Sequence, residues 1–283
     1  MTRCRPPARP AIQSNFHAWR VKRGAAAGLR SHVVMLQTLT LEETMKLMLC
    51  SRRHPDMDRT QFFDHLGNVH GPLVKSLPEC TRYIRKYVQN HTRLPADGVH
   101  ATTAYRHEQE RDSVIELWFD DKQSLLQSLG EPKYQAIVRP DEARFNDLSQ
   151  LLVLATREVP YKLADDGSAV YKSFDYITRR EDLSHEAFEA HWARHADLLL
   201  AQDGYRQYVR QASRNLVLSQ DENPFGASAP YDGIVETWFA SFDDAQRWMA
   251  WRNDSRTVLE SEAQFIDAPR SFSILAEARP VIG

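Results

Sequence analysis

The sequence predicts an α+β protein built from two tandem βαββαβ units that close face to face within one chain. Three observations lead to this prediction. The chain has 283 residues, which is enough for two domains. A segment of roughly 115 residues recurs with its motifs in the same order. Within each segment, short apolar runs typical of strands alternate with helical stretches.

The repeat is clearest at two octapeptides. Residues 112–119 read DSVIELWF and residues 232–239 read DGIVETWF, an offset of 120 that also relates Phe145 to Phe265. Upstream, Phe62 precedes His70 by eight residues, whereas Phe188 precedes His195 by seven. The first helix of the second copy is therefore one residue shorter between these two positions.

In each copy, the sequence predicts secondary-structure elements in the order strand, helix, strand, strand, helix, strand. Asp58 and Ser184 are candidate N-caps of the first helices. A βαββαβ unit is the ferredoxin-like arrangement, with both helices on one face of an antiparallel sheet. The predicted strands are 46–51, 83–89, 114–119 and 151–156, and then 172–177, 205–211, 234–239 and 272–275; the predicted second helices are 122–130 and 242–251.

The third strands predict which face of each sheet lies under the helices. Side chains alternate along a strand, so Ile115, Leu117 and Phe119 share one face and Val114, Glu116 and Trp118 the other. The first face suits packing under helices, and the second suits the interior between two sheets. Lys46 is predicted to pair with Glu116, and Lys172 with Glu236, as a structural device of the interior.

Composition excludes several classes of protein. A formal charge of -2 gives no reason to expect a nucleic-acid partner, and no apolar run is long enough for a membrane span. Three cysteines without a CxxC pair argue against a disulfide scaffold or zinc ribbon and favour a cytoplasmic protein. The Arg-rich residues 1–44 are predicted to be a disordered extension, with a transit peptide as the alternative. The two domains are predicted at 45–160 and 168–283.

Several motifs together resemble the EthD family of the dimeric α+β barrel superfamily. The first copy has Phe62 and His65, then NVHGPL at 68–73, YVQNH at 87–91, IELWF at 115–119 and FND at 145–147. The second copy keeps Phe188, His191, His195, YV at 208–209, VETWF at 235–239 and FID at 265–267.

The resemblance covers about residues 45–279 and implies an intramolecular dimeric α+β barrel. It also implies relatives linked to ether degradation, cofactor-free dehydratases and cyclases of polyketide pathways, and small monooxygenases. The HGPL of the first copy is HADL in the second, so the second site is expected to be altered or inactive.

His70 is the first candidate catalytic residue, because an imidazole near the end of a helix has both protonation states available near neutral pH. The alternative is that it caps the helix. For His195, a catalytic role and a helix-capping role are equally expected. Tyr87 and Tyr208 are candidate phenols that polarise a substrate carbonyl. Candidate substrate-binding residues are Trp118, Trp238, Tyr83 and Tyr205, and the alternative is that all four are structural.

No cofactor is predicted, since neither GxGxxG nor GxxxxGK[ST] occurs. His191 and His195 have a spacing that can bind a metal, but no glutamate lies between them in the zincin pattern, and no metal site is predicted. Haem bound through His195 is an alternative for this superfamily. The expected partner is a small hydrophobic or aromatic molecule, and the pseudo-dimeric chain is a candidate homodimer.

The function predicted first is a cofactor-independent enzyme with lyase-type chemistry on a small aromatic or polyketide-like carbonyl compound. Dehydration, cyclisation and decarboxylation all pass through an enolate formed beside a carbonyl, so a histidine that moves a proton there can serve all three. One alternative is a cofactor-free oxidoreductase or monooxygenase, or an accessory protein, in the catabolism of ethers or aromatics. Another is a non-catalytic carrier of a hydrophobic intermediate.

Overall fold

A computed structural model describes residues 44–93, 106–107, 110–161, 163, 167–226 and 229–283. The extension predicted to be disordered lies outside these residues, apart from Thr44. Within the described part of the chain, no helix is both long enough and apolar enough to cross a bilayer.

Eight antiparallel strands form one closed barrel. In spatial order they run β2, β4, β1, β5, β7, β8, β6, β9, and β9 pairs back onto β2. The short β3 lies outside this ring and pairs in parallel with β9. The strands are β1 (Met45–Ser51), β2 (Lys86–Arg93), β3 (Arg106–His107), β4 (Ser113–Phe119), β5 (Leu152–Pro160), β6 (Tyr171–Ile177), β7 (Val209–Val217), β8 (Gly233–Phe239) and β9 (Phe272–Ile282).

Each repeat contributes four strands in the ferredoxin-like order, β2-β4-β1-β5 and β7-β8-β6-β9. The predicted fold, two tandem ferredoxin-like units that form an intramolecular dimeric α+β barrel, is confirmed. The two sheets also hydrogen-bond edge to edge, through β5 with β7 and β9 with β2, and these contacts close the ring of described strands.

The helices cover the outside of the barrel. In the first repeat they are α1 (Arg59–Asp64), α2 (Gly71–Lys75), α3 (Pro78–Thr81), α4 (Lys122–Gly130) and α5 (Arg139–Phe145), with π-helical stretches at His65–His70 and Tyr134–Val138. In the second repeat they are α6 (His185–Leu200), α7 (Asp203–Tyr208), α8 (Phe242–Asp254) and α9 (Arg256–Glu262). The N-caps predicted at Asp58 and Ser184 are confirmed, and Asp58 forms a capping box with Gln61.

The length difference between the first helices has a local explanation. In the first repeat, the extra residue between Phe62 and His70 is taken up by the π-helical stretch His65–His70. In the second repeat, α6 is a continuous α-helix through His195. A π-helix holds one more residue per turn, and such stretches are frequent at functional sites.

The second strands begin later than predicted. Tyr205 and Tyr208 lie in α7, and Tyr83 precedes β2. In the barrel, Tyr87 pairs with Leu117, whereas the equivalent Thr237 pairs with Ala212. The sequence match of Tyr87 with Tyr208 is therefore wrong in register, because the short helix α7 replaces the start of the predicted strand.

The predicted faces of the third strands are confirmed. Val114 and Ile234 lie inside the barrel, in one apolar cluster to which both repeats contribute. Ile115 and Phe119 lie in the cluster beneath the helices. The barrel interior holds Met48, Cys50, Leu154, Phe174, Tyr176, Phe272 and Ile274, all essentially inaccessible to solvent.

The predicted buried ion pairs are also present. Lys46 Nζ lies 2.8 Å from Glu116 Oε1, and Lys172 Nζ lies 2.8 Å from Glu236 Oε1. All four side chains are fully buried. Each lysine also contacts the glutamate of the other repeat, so the four charges form a square that joins the two halves. We call this arrangement the charge square.

Candidate functional site

One buried carboxylate connects two histidines in the first repeat. Asp141 Oδ1 lies 3.0 Å from His65 Nε2, and Asp141 Oδ2 lies 3.0 Å from His70 Nδ1. Asp141 is 4% exposed and His70 is 7% exposed. Both oxygens of the carboxylate are thus engaged, and the three side chains form what we call the His-Asp-His unit.

The helices of the first repeat position this unit. The two histidines lie at the two ends of the π-helical stretch, and Asp141 lies on α5. The Phe145 ring, one turn after Asp141, packs against both imidazoles, with ring centroids 5.0 Å from His65 and 4.9 Å from His70. Asp141 was missed by sequence reasoning. Its spacing from Phe145 places an acid on the core face of a helix, and this was the available signal.

The hydrogen bonds fix which imidazole nitrogens face the carboxylate. A carboxylate accepts, so His70 donates through Nδ1 and His65 donates through Nε2. Burial lowers the pKa of His70, and the hydrogen bond with Asp141 opposes this effect only in part. The lowered pKa favours the neutral form of His70, which contacts the Asp141 carboxylate through Nδ1.

A groove runs beside the unit on the outer surface of the first repeat. Its volume is about 680 Å³, and Asp141 lies in its lining, whereas His70 does not. Its two walls include residues of the two π-helical stretches, and Val69 and Ile137 are 44% and 41% exposed. The lining residues are Asn68, Val69, Pro72, Leu73, Ser76, Ala136, Ile137, Pro140, Asp141 and Arg144.

A second titratable pair lies next to Asp141 in sequence. The Tyr134 hydroxyl donates to Glu142 Oε1 at 3.0 Å. Burial raises the pKa of Glu142 to about 7, although the hydrogen bond from Tyr134 favours the charged form. Sequence reasoning did not single out this pair, since no helix was predicted over residues 134–145 and a lone glutamate gives no signal of its burial.

The second repeat differs at the corresponding positions. His195 Nδ1 lies 3.0 Å from the Ser261 hydroxyl, and Ser261 is 120 residues after Asp141. Burial and the nearby Arg252 lower the pKa of His195 to about 3. Arg252 is itself held by Asp175 at 3.2 Å and by Glu262 at 2.8 Å. The second repeat thus has a hydroxyl where the first has the carboxylate.

The space around His195 is closed. The cavity that His195 lines has a volume of about 20 Å³, roughly enough for one water molecule. This space is far too small for a haem, so the residues present do not fit the haem alternative. Among the residues that the structure describes, no three His, Cys, Asp or Glu side chains are placed to hold a metal ion.

The candidate tyrosines lie away from the groove lining. Tyr87 is 2% exposed in the core under the helices, and its hydroxyl accepts a hydrogen bond from Gln89 at 2.9 Å. Tyr83 donates to Glu131. Tyr205 is buried against Trp248, and Tyr208 packs at the edge of the same cluster. The structure does not bring these phenols together with His70 or His195.

Trp118 and Trp238 point into the barrel. Lys46 Nζ lies 4.4 Å from the centroid of the Trp118 ring, and Lys172 Nζ lies 3.5 Å from that of Trp238. Trp118 Nε1 also donates to Glu158 at 2.8 Å. Both indoles therefore cover the lysines of the charge square through cation–π contacts.

A protein-family model of the EthD domain matches two segments, residues 54–149 and 180–269. The chain belongs to the EthD family. One match lies in each repeat of this EthD protein, and the two matches include His70 and His195, respectively. No curated protein matches the chain.

Solved structures show the same fold at low sequence identity. A proposed monooxygenase from Fusobacterium nucleatum has a TM-score of 0.54 and 5% identity, with 85% of this chain and 95% of that chain covered. An anthrone oxidase-like protein has a TM-score of 0.52 and 9% identity, covering 85% and 94%. A mutant chlorite dismutase from Candidatus Nitrospira defluvii has a TM-score of 0.50 and 14% identity, covering 86% and 94%.

Proposed function

We propose that this EthD protein is a cofactor-independent enzyme that removes a proton beside the carbonyl group of a small aromatic or polyketide-like compound. The observation that supports it most is the His-Asp-His unit, in which one buried carboxylate holds two histidines beside an open groove. The reacting site belongs to the first repeat. In the second repeat, Ser261 replaces the carboxylate and the cavity is closed.

The chemistry follows from the charge of the unit. A carboxylate that takes up a proton becomes neutral, and burial favours the neutral form. The carboxylate of Asp141 accepts the proton, since Asp141 lines the groove. The electrons of the broken C–H bond move to the carbonyl oxygen and form an enolate. The enolate can then expel a β-hydroxyl that takes the proton back from Asp141 and leaves as water. Alternatively it can close a ring by attacking a second carbonyl, or take the proton back at carbon.

In this proposal the histidines have different tasks from those expected from the sequence. His65 and His70 donate to Asp141 and hold its two oxygens in place, so His70 is a positioning residue and Asp141 is the catalytic base. Tyr87 and Tyr208 are left without a direct role, since neither lines the groove. His195 becomes a structural residue of the second repeat.

A second candidate is a cofactor-free oxygenase. The same carbanion reacts directly with molecular oxygen when the ring system stabilises it, and the oxygen is then reduced as the carbon is oxidised. Structures of the same fold that are named as a proposed monooxygenase and as an anthrone oxidase-like protein favour this candidate. The first step is common to both candidates, and they differ in what consumes the enolate.

The test compares two probes with the full chain. The first is the aldol of benzaldehyde and acetone, whose dehydration to the conjugated ketone is followed by absorbance. We expect turnover that falls by about 10²–10⁴-fold in Asp141→Asn, the range for loss of a catalytic acid or base. The matched control, Ser261→Asn in the second repeat, should leave the rate within about twofold. Equal rates for Asp141→Asn and the unmodified chain would refute the proposal.

The second probe is anthrone under air. Oxygen uptake that depends on Asp141, without dehydration of the aldol, would shift the assignment to the oxygenase. Calorimetric binding of either probe, with no proton exchange into solvent deuterium and no turnover, would instead identify a carrier.

A further inference from the structure

We propose that the groove of the first repeat binds an apolar compound that carries a carboxylate, and that Arg144 binds this carboxylate. The inference rests on the proposed function in one respect, because it takes the groove as the substrate site. It adds the charge of the substrate, which the His-Asp-His unit does not determine.

The groove walls indicate that the main part of the ligand is apolar. Six of the ten lining residues are apolar, and the volume of about 680 Å³ is typical of sites for small organic molecules. The exposed Val69 and Ile137 come from opposite walls and leave apolar surface uncovered. The apolar lining consists of Val69, Pro72, Leu73, Ala136, Ile137 and Pro140.

The charge of the ligand follows from Arg144. It is the positively charged side chain of the groove lining, and its side chain is 73% exposed. Its Nη1 atom forms a long ion pair with Asp141 Oδ1 at 3.8 Å, beyond hydrogen-bond distance, and each oxygen of this carboxylate already accepts a hydrogen bond from a histidine. The N–H groups of the guanidinium are thus available at the groove. Their planar fork matches a carboxylate in two parallel hydrogen bonds.

The second repeat lacks an exposed arginine at the position equivalent to Arg144. Gln264 lies 120 residues after Arg144, so the second repeat has a neutral side chain at this position. Its buried arginine, Arg252, is bonded to Asp175 and Glu262 inside a closed cavity. The combination of an open groove, a carboxylate base and an exposed guanidinium therefore occurs in the first repeat.

Arg144 has one competing role, which is to stabilise the oxygen of the enolate during the reaction. In that case it would act on a neutral carbonyl, and the charge of the ligand would not affect binding. The two roles are separated by comparing an aromatic carboxylate with a neutral ketone of the same shape.

The experiment is isothermal titration calorimetry of the full chain with naphthoate and with acetonaphthone. We expect naphthoate to bind about tenfold more tightly, a factor typical of one good charged contact. Arg144→Gln, which introduces the residue of the second repeat, should weaken naphthoate about tenfold and change acetonaphthone less than twofold. The control Arg247→Gln removes an exposed helix arginine that also has an acidic neighbour, Asp243, and should change neither affinity.

Three results would overturn the inference: equal affinity for the two probes, no effect of Arg144→Gln on naphthoate, or no binding of naphthoate. The outcome is separate from that of the proposed function. Binding that depends on Arg144, together with no turnover of the carbonyl probes, would support the carboxylate subsite and refute the enzyme proposal. Turnover without any preference for the carboxylate would do the reverse.

Discussion

Lys46 of the first repeat and Glu236 of the second form an ion pair 2.5 Å long inside the barrel. Neither side chain is accessible to solvent. Each repeat also pairs its own lysine with its own glutamate, so every charge of the square has a partner in both halves. Because burying an unpaired charge is very costly, the square favours the one register in which the two repeats face each other.

Replacement of one lysine should therefore destabilise the whole chain. Lys46→Met leaves Glu116, Glu236 and Glu158 with Lys172 as the single remaining cation of the square. We expect the free energy of unfolding to fall by about 3–5 kcal/mol, as for other broken buried pairs. Denaturant unfolding measures it. The control Lys133→Met breaks an exposed pair with Glu79 and should leave stability nearly unchanged. Similar losses in both variants would refute the role of the square.

Stability should depend on pH through His195. Burial lowers its folded-state pKa to about 3, while a histidine in the unfolded chain has a pKa of about 6.5. Between these values the unfolded chain binds a proton that the folded chain does not, so stability falls as the pH falls. From pH 6 to pH 4, His195→Gln should lose about 2 kcal/mol less than the unmodified chain.

The control for this prediction is Ser261→Ala. It removes the hydroxyl that contacts His195 and leaves the histidine buried. We expect its stability to be lower at every pH and its slope to match that of the unmodified chain. A slope that changes in Ser261→Ala but not in His195→Gln would show that burial is not the cause.

Gly71 should not tolerate a side chain. A Cβ at this position would lie 2.9 Å from Gln89 Nε2, which donates to the Leu66 carbonyl and to Tyr87. Gly71→Ala should cost about 1–3 kcal/mol, through crowding and the loss of these buried hydrogen bonds. At Gly130 there is nothing within 4 Å of the added carbon, so Gly130→Ala should leave stability unchanged or slightly higher. Thermal unfolding distinguishes these results, and an equal effect of both variants would contradict the prediction.

The π-helical stretch should be needed for the contact with both histidines. Deleting Gly67 gives the first repeat the seven-residue Phe-to-His spacing of the second. We expect a continuous α-helix that keeps His70 beside Asp141 and turns His65 away, with several-fold weaker binding of naphthoate. A crystal structure of the variant tests the first expectation and calorimetry the second. Persistence of both histidine contacts would show that the extra residue is dispensable.

Much of the fold could be predicted because the repeat carried two independent copies of each signal. Octapeptides 120 residues apart fixed the third strands, and their alternation correctly divided Ile115 from Val114. The second strands were harder, since tyrosines occur both before β2 and in α7. The sequence match therefore aligned Tyr87 with Tyr208. In the barrel, the residue of the second repeat that is equivalent to Tyr87 is Ala212.

The candidate site could be predicted only in part. His70 was singled out from its recurrence, but Asp141 was not, because the two positions are 71 residues apart and meet only when α5 packs on the π-helical stretch. The contact of Glu142 with Tyr134, eight residues away, was missed for a different reason, since no helix was predicted over these residues. Spacing along one helix is visible in a sequence, whereas the contact between two helices is not.

The sequence by itself determined three features. The two-fold repetition follows from comparing the two copies, and the strand faces follow from the alternation of side chains along each strand. The pairs of Lys46 with Glu116 and Lys172 with Glu236 follow from the βαββαβ order, in which the first and third strands are neighbours. Only the tertiary structure decided that these pairs join across the barrel and that Asp141 contacts two histidines. It also decided the size of the cavities described in the two repeats: the groove beside Asp141 is large, whereas the cavity beside His195 is about the size of one water molecule. These features depend on distances between segments far apart in the chain, which packing sets and local sequence does not encode.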